Sequence, residues 1–205
     1  MINLIIGSNS LIGRSICEEI KRKKLKNYYL ISKSNSKKQN HININLNNNL
    51  NRIKYNKINK CFFLSSPRYE KKNFKKKIYN QEFIWIKKLI NTLSIKKLIY
   101  LSSSTIYQER HFIGDNKIKI ENLLTNKNKK IKYVQIWRPF NLVGSNQYKI
   151  SDHFHNKLFK IIFLERKKKY LFNGNGNDQR GYSLVDDFTK ICLQSSKQDK
   201  NFVKN

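Results

Sequence analysis

The chain has 205 residues, with 43 Lys and Arg against 13 Asp and Glu and a formal net charge of +30. That length fits one domain or one and a fraction, and an aromatic fraction of 12% is hard to reconcile with a disordered basic protein. The charge invites a polyanion partner, but the chain lacks alanine altogether and holds only 7 Gly and 2 Pro, the profile expected when an AT-rich gene favours Lys, Asn and Ile codons, and its basic runs are scattered rather than gathered on one face.

The first segment, Ile2 to Ile6, is an apolar β-branched run with no basic leader before it and reads as a buried strand. The loop Gly7-Ser8-Asn9-Ser10-Leu11-Ile12-Gly13 follows, and then Ile12, Ile16 and Ile20 recur at helical spacing. Further strands are predicted at Tyr28 to Ile31, Ile42 to Leu46, Cys61 to Leu64, Leu98 to Leu101 and Tyr133 to Trp137, with a helix through Phe83, Ile86, Ile90 and Leu93 before the Leu98 strand. A final helix-like stretch after Asp187 leads to a strand-like end at Asn201 to Asn205. Strand and helix in repetition predict a doubly wound α/β sheet, parallel, with helices on both faces. No apolar stretch approaches the roughly 20 residues that span a bilayer, so no membrane insertion is expected. Cys17, Cys61 and Cys192 are odd in number and widely spaced, which fits reduced thiols and a cytoplasmic location and argues against a metal site, as does the isolated pair His153 and His155.

In such a sheet the first loop is where phosphate binds. Gly7 and Gly13 can serve the tight turn and the close helix contact, with Ser10 where a middle glycine is usual, which narrows the approach. Alone, two glycines six apart are a weak signal.

With the later segments the chain resembles the NAD-dependent epimerase/dehydratase family, the extended short-chain dehydrogenase/reductases that act on nucleotide sugars. Gly7-x-x-Ser10-x-x-Gly13 is similar to the family's glycine loop, Lys97 to Tyr107 to its fifth strand with an S-S-x-x-x-Y end, Trp137 to Gly144 to its R-P-F-N-x-x-G segment, and Asn173 to Asp187 to its G-x-G-x-x-x-R-x-[FY]-x-x-V-x-D block. The resemblance implies one Rossmann-type NAD(P)-binding domain over residues 1–205, with 145–182 contributing part of a substrate-binding lobe that is truncated relative to the family. It also implies a nucleotide-sugar partner, no nucleic-acid role, carbohydrate metabolism of the kind that supplies cell-surface polysaccharides, and a homodimer among the assemblies it allows.

Site residues follow from the same resemblance. Gly7, Ser10, Leu11, Ile12 and Gly13 would meet the dinucleotide, as would Ser32, Lys33, Asn45, Ser65, Lys117 and Pro139. Ser103 takes the position of the catalytic Ser/Thr, although it is one of three consecutive serines and the register could slip by one; Tyr107 lines the pocket and is a candidate for recruitment. Lys117 takes the position of the active-site lysine, which grips the nicotinamide ribose and lowers the pKa of a tyrosine one helical turn earlier. Asn141 and Arg180 would approach the diphosphate or sugar, though Asn141 could instead cap a turn and Arg180 pair with Asp186 or Asp187.

Two departures weigh against turnover. Ile113 stands four residues before Lys117, where the family has its catalytic tyrosine, and it has no ionisable group. The chain also stops roughly a third short of family length. At the end of the second strand, Ser32-Lys33-Ser34 replaces the acidic residue that would bind the adenosine ribose of NAD, which favours NADP at least as much as NAD. The expected function is therefore NAD(P)-dependent hydride transfer at a sugar carbon. The alternative is a non-catalytic member that binds dinucleotide or nucleotide sugar, and a basic nucleic-acid binder is the remote one.

Overall fold

The structure is a computed structural model, and it describes residues 1–33, 40–47, 50–53, 55, 57–67, 80–109, 111–126, 130–144, 161, 165, 166, 169, 175, 177, 179 and 181–205. The strands are β1 (Ile2–Ile6), β2 (Tyr28–Ser32), β3 (His41–Asn43), β4 (Lys57–Phe63), β5 (Ser94–Leu101), β6 (Ile131–Trp137), β7 (Leu142–Val143), β8 (Ser183–Leu184) and β9 (Phe202–Lys204). The helices among the described residues are α1 (Leu11–Arg22), α2 (Gln81–Thr92), α3 (Phe112–Thr125) and α4 (Val185–Ser195). Seven strands pair in parallel in the order β3-β2-β1-β4-β5-β6-β9, while β7 and β8 form a separate small ladder.

The sheet is buried on both faces because consecutive strand residues are apolar and point to opposite sides. In β1, Leu4 and Ile6 enter a core with Ile86, Leu89 and Ile90 of α2 and Ile120 and Leu124 of α3. Ile5 faces the other way, toward Ile16 and Ile20 of α1 and Cys192 and Leu193 of α4. Trp137 closes that second core, its ring edge-on to Phe188 at 5.6 Å and to Phe202 at 5.3 Å. Ser15 donates to Asp186 Oδ1 at 2.7 Å and ties α1 to the first turn of α4. This sandwich fixes the carboxyl ends of β1, β4, β5 and β6 in a row, where open parallel sheets bind ligands.

One predicted strand is shorter than expected. The alternation Ile42, Ile44, Leu46 predicts a strand to Leu46, but only His41–Asn43 pair with β2. β3 is the sheet's edge; its last ladder bond runs from Ile44 N to Ser32 O at 3.0 Å, after which the chain leaves the strand, and Ile44 and Leu46 are buried on the way to a turn at residues 46–47.

Few carboxylates face the many cations, and Glu19 and Asp199 are each gripped by two of them. Lys97, in the middle of β5 and 2% exposed, donates to Ser196 O at 2.7 Å at the end of α4. It also pairs with Asp199 Oδ1 at 2.9 Å, while Lys96 holds Oδ2 at 2.8 Å. Hydrogen bonds from Lys96 and then Lys97 draw the Asp199 carboxyl down to about 2. A carboxyl whose pKa is depressed on folding contributes stability above its unfolded value and loses it as pH falls through the folded one. Asp199→Asn is therefore expected to lower stability at neutral pH and to flatten the acid limb between about pH 4 and about pH 2; urea unfolding across that range measures it.

Candidate functional site

Gly7 leaves β1 with φ +89°, and a Cβ there would stand 2.8 Å from the backbone nitrogen of Ser65. A Cβ on Gly13 would stand 2.2 Å from Gly7 O. Both positions therefore require glycine, one for the turn and one for the approach of α1 to β1. Ser10 is the N-cap of α1: its Oγ accepts from the Gly13 N–H at 3.0 Å, and its carbonyl starts the helix by accepting from Arg14 N. The expectation that Ser10 merely narrows the loop thus acquires a local role, since its hydroxyl satisfies one of the helix's open donors. The N–H groups of Leu11 and Ile12 have no acceptor among the described residues. Two open donors at the positive end of a helix, over a turn that excludes any Cβ, fit a pyrophosphate.

On the β2 side, Ser32 Oγ lies 3.0 Å from Asn9 Nδ2, which donates to it, and 2.8 Å from His41 Nε2. Lys33 follows, exposed. Asn9 and His41 were not anticipated; their chemistry is common, and only the parallel pairing of β2 with β3 brings His41 to Ser32. Asn45 is turned into the chain, its Oδ1 accepting from Asn47 N at 3.1 Å, and Asn47 is held by Trp85 and Lys88 of α2.

On the other side, Ser65 touches Gly7 and its neighbour Ser66 donates to Glu82 Oε2 at 2.9 Å. Glu82, in the first turn of α2, is wholly buried. Its Oε1 accepts from Tyr100 at 2.9 Å and from Lys117 Nζ at 2.6 Å. Lys117, on α3, also donates to Leu101 O at 3.0 Å at the end of β5 and sits 5.0 Å from the centre of the Tyr100 ring. The lysine expected at the nicotinamide ribose is thus part of a buried ion pair. Glu82, like Asn9 and His41, was not anticipated from the sequence.

Next along the row, Ser103 caps the short turn Ser104–Tyr107, its Oγ accepting from Thr105 N at 3.2 Å and Thr105 Oγ1 at 3.0 Å. Gly114 lets α3 pack on that turn, because a Cβ there would meet Thr105 O at 2.3 Å. Ile113, four residues before Lys117, is half-buried. Tyr107 is bound elsewhere: its hydroxyl accepts from Arg138 at 2.8 Å and donates to Asn205 Oδ1 at 2.7 Å, and its ring stacks on Phe140 with centroids 6.1 Å apart. Arg138 also grips Glu121 with both prongs, at 3.1 and 2.6 Å, and Ser102 donates to the same carboxylate. The Glu121 carboxylate holds the Arg138 guanidinium above its ordinary value. Lys117 and Tyr107 therefore have separate partners.

Pro139 is half-buried after β6, and Asn141, at φ +25°, donates to Gly181 O at 3.0 Å, joining the residues that precede the parallel strands β7 and β8. Arg180 lies outside the described residues, as does most of the segment 145–182. No helix among the described residues is long and apolar enough to cross a membrane.

The model of the NAD-dependent epimerase/dehydratase family matches residues 3–205. No curated protein sequence matches the chain. Among solved structures, the UDP-N-acetylglucosamine 4-epimerase from Bacillus cereus superposes with a TM-score of 0.80 at 16% identity, covering 100% of this chain and 75% of that one. MoeE5 in complex with UDP-glucose and NAD gives 0.82 at 18% identity, covering 100% and 76%. The UDP-N-acetylglucosamine 4-epimerase from Methanobrevibacter ruminantium M1, in complex with UDP-N-acetylmuramic acid, gives 0.79 at 18%, covering 100% and 76%.

Proposed function

The chain belongs to the NAD-dependent epimerase/dehydratase family, and from that premise we propose that it binds a nicotinamide dinucleotide and a nucleotide sugar without running the tyrosine-dependent proton transfer of active members. The observation that carries the binding half is the pair of open N–H groups, Leu11 and Ile12, above the Gly7–Gly13 contact. Those groups would hold the pyrophosphate, with Ser32 and Lys33 toward the adenosine ribose and Ser65 on the nicotinamide side. A nicotinamide ring, when bound, supplies reversible hydride acceptance. A nucleotide sugar, the kind of ligand that MoeE5 holds as UDP-glucose, would lie over the ends of β5 and β6, near Ser103 and Asn141.

The second half rests on Ile113 and Lys117. Isoleucine can neither take nor give a proton, and the ammonium that would tune a tyrosine is committed to Glu82 and Leu101 O. The catalytic reading, hydride transfer at a sugar carbon, keeps one support: Ser103, two residues past the end of β5, is only half-buried. Fluorescence titration with NADH and NADPH, followed by incubation with UDP-, GDP- and dTDP-sugars, separates the readings. No acidic residue stands between Glu19 and Glu70, so the ribose end carries Ser32, Lys33 and His41 without a carboxylate, and NADPH is expected to bind about ten-fold more tightly than NADH. Binding without product is the expected result. Product from the unaltered protein would restore the catalytic reading, and failure of both dinucleotides to bind would remove the proposal.

A further inference from the structure

Glu82 has no role in the reading above, yet it is among the most elaborately held side chains described. It is fully buried, and Lys117, Tyr100 and Ser66 converge on its two oxygens at 2.6 to 2.9 Å. A carboxylate out of water is costly unless it is paired and its lone pairs are filled, and here both conditions are met. The pair also has a definite address. Ser66, one of its donors, adjoins Ser65, which touches Gly7; Leu101 O, the other acceptor of Lys117, ends β5. Since neighbouring strands lie about 4.8 Å apart, an extended ligand anchored at the Leu11 and Ile12 N–H groups and running across β4 reaches the pair at β5.

We propose that Glu82 sets the redox-state preference of the nicotinamide site. The inference rests on the dinucleotide reading given above. An oxidised nicotinamide ring carries a positive charge and a reduced one carries none. A lone ammonium on Leu101 O would repel the first and ignore the second. Glu82 cancels that charge, so the oxidised ring is not penalised. The next buried charge along α3, Glu121, is itself paired with Arg138, which follows β6, and the two add no net charge. Glu82 is in this sense a positioning residue, acting on the ligand through Lys117.

The test compares the dissociation constants of NADP+ and NADPH for the wild-type chain, Glu82→Gln, Lys117→Met and the double variant, with thermal melts to establish folding. Glu82→Gln leaves the ammonium unbalanced and is expected to raise the oxidised-to-reduced ratio of dissociation constants about ten-fold. Lys117→Met leaves the carboxylate unbalanced and is expected to lower the ratio by a similar factor, and the double variant to return it to the wild-type value. A purely structural pair would weaken both forms together, leaving the ratio fixed, and that result in either folded single variant overturns the proposal. Should Glu82→Gln fail to fold, Lys117→Met carries the test with the opposite sign. A wild-type chain that binds neither form overturns the dinucleotide reading and this inference with it, an outcome distinct from a fixed ratio with binding intact.

Discussion

Gly13→Ala is expected to weaken dinucleotide binding by at least about 100-fold while costing about 1–3 kcal/mol of stability. The new methyl would stand 2.2 Å from Gly7 O and 2.9 Å from the carbonyl carbon of Ser8. Both are backbone atoms, so relief cannot come from a rotamer change; α1 must move off β1. That movement carries the Leu11 and Ile12 N–H groups away from the turn they overlie, and a displacement of about 1 Å is enough to spoil a multi-donor anion site. The contrasting substitution is Ser10→Gly. It removes the hydroxyl that caps Gly13 N at 3.0 Å, for a few tenths of a kcal/mol, and frees a third donor without moving the helix. Binding should then be retained. Fluorescence titration with NADPH and urea unfolding of the two variants distinguish a positional role of Gly13 from general damage to the loop, for which Ser10→Gly would lose binding as well.

The sheet was legible because its strands advertise themselves. Ile2 to Ile6 and Leu98 to Leu101 are apolar on both faces, as strands buried from both sides must be. β4 was legible only in its second half: Lys57, Asn59 and Lys60 break the apolar run, yet Asn59 bonds Asn3 at 3.1 Å and Lys60 reaches Ser196 at 3.4 Å, so these polar residues belong to the sheet. The loop glycines were equally plain, since the need for a missing Cβ leaves its mark in the residue type. The site's electrostatics were hidden for a different reason. With 43 basic residues, a functional lysine looks like every other. The scarce acids are the informative side, and their signal lies in register. Glu82 shares a helical stripe with Ile86 and Ile90, at i, i+4 and i+8, and Glu121 follows Lys117 by four. A carboxylate on an apolar stripe must find a partner or pay desolvation, and Glu19, Glu82 and Glu121, all buried, have each found a cation. What no pattern supplied was which cation, because Lys117 stands 35 residues from Glu82 and only the packing of α2 beside α3 joins them.

Glu121→Ala is expected to be the most destabilising single change at the site, by about 3–5 kcal/mol. Its carboxylate accepts from Arg138 Nε at 3.1 Å, from a second guanidinium nitrogen at 2.6 Å, and from Ser102. Removing it leaves a guanidinium only 22% exposed without its counter-charge, and leaves the buried Ser102 hydroxyl without its acceptor. The damage should reach the pocket, because Arg138 also donates to the Tyr107 hydroxyl at 2.8 Å and lies 5.6 Å from the centre of its ring. A guanidinium freed from Glu121 turns toward water, and Tyr107 loses the donor that fixes it against Phe140. Replacing both partners with apolar residues of similar size, Glu121→Met with Arg138→Met, removes the charges together and should recover most of the lost stability, since a buried ion pair contributes little beyond a well-packed apolar pair. Tyr107 would remain untethered in that double variant. Urea midpoints should therefore separate the single from the double variant, while nucleotide-sugar affinity, measured by calorimetry, should fall in both. A double variant that regains affinity along with stability would show that the tether to Tyr107 is irrelevant to the pocket.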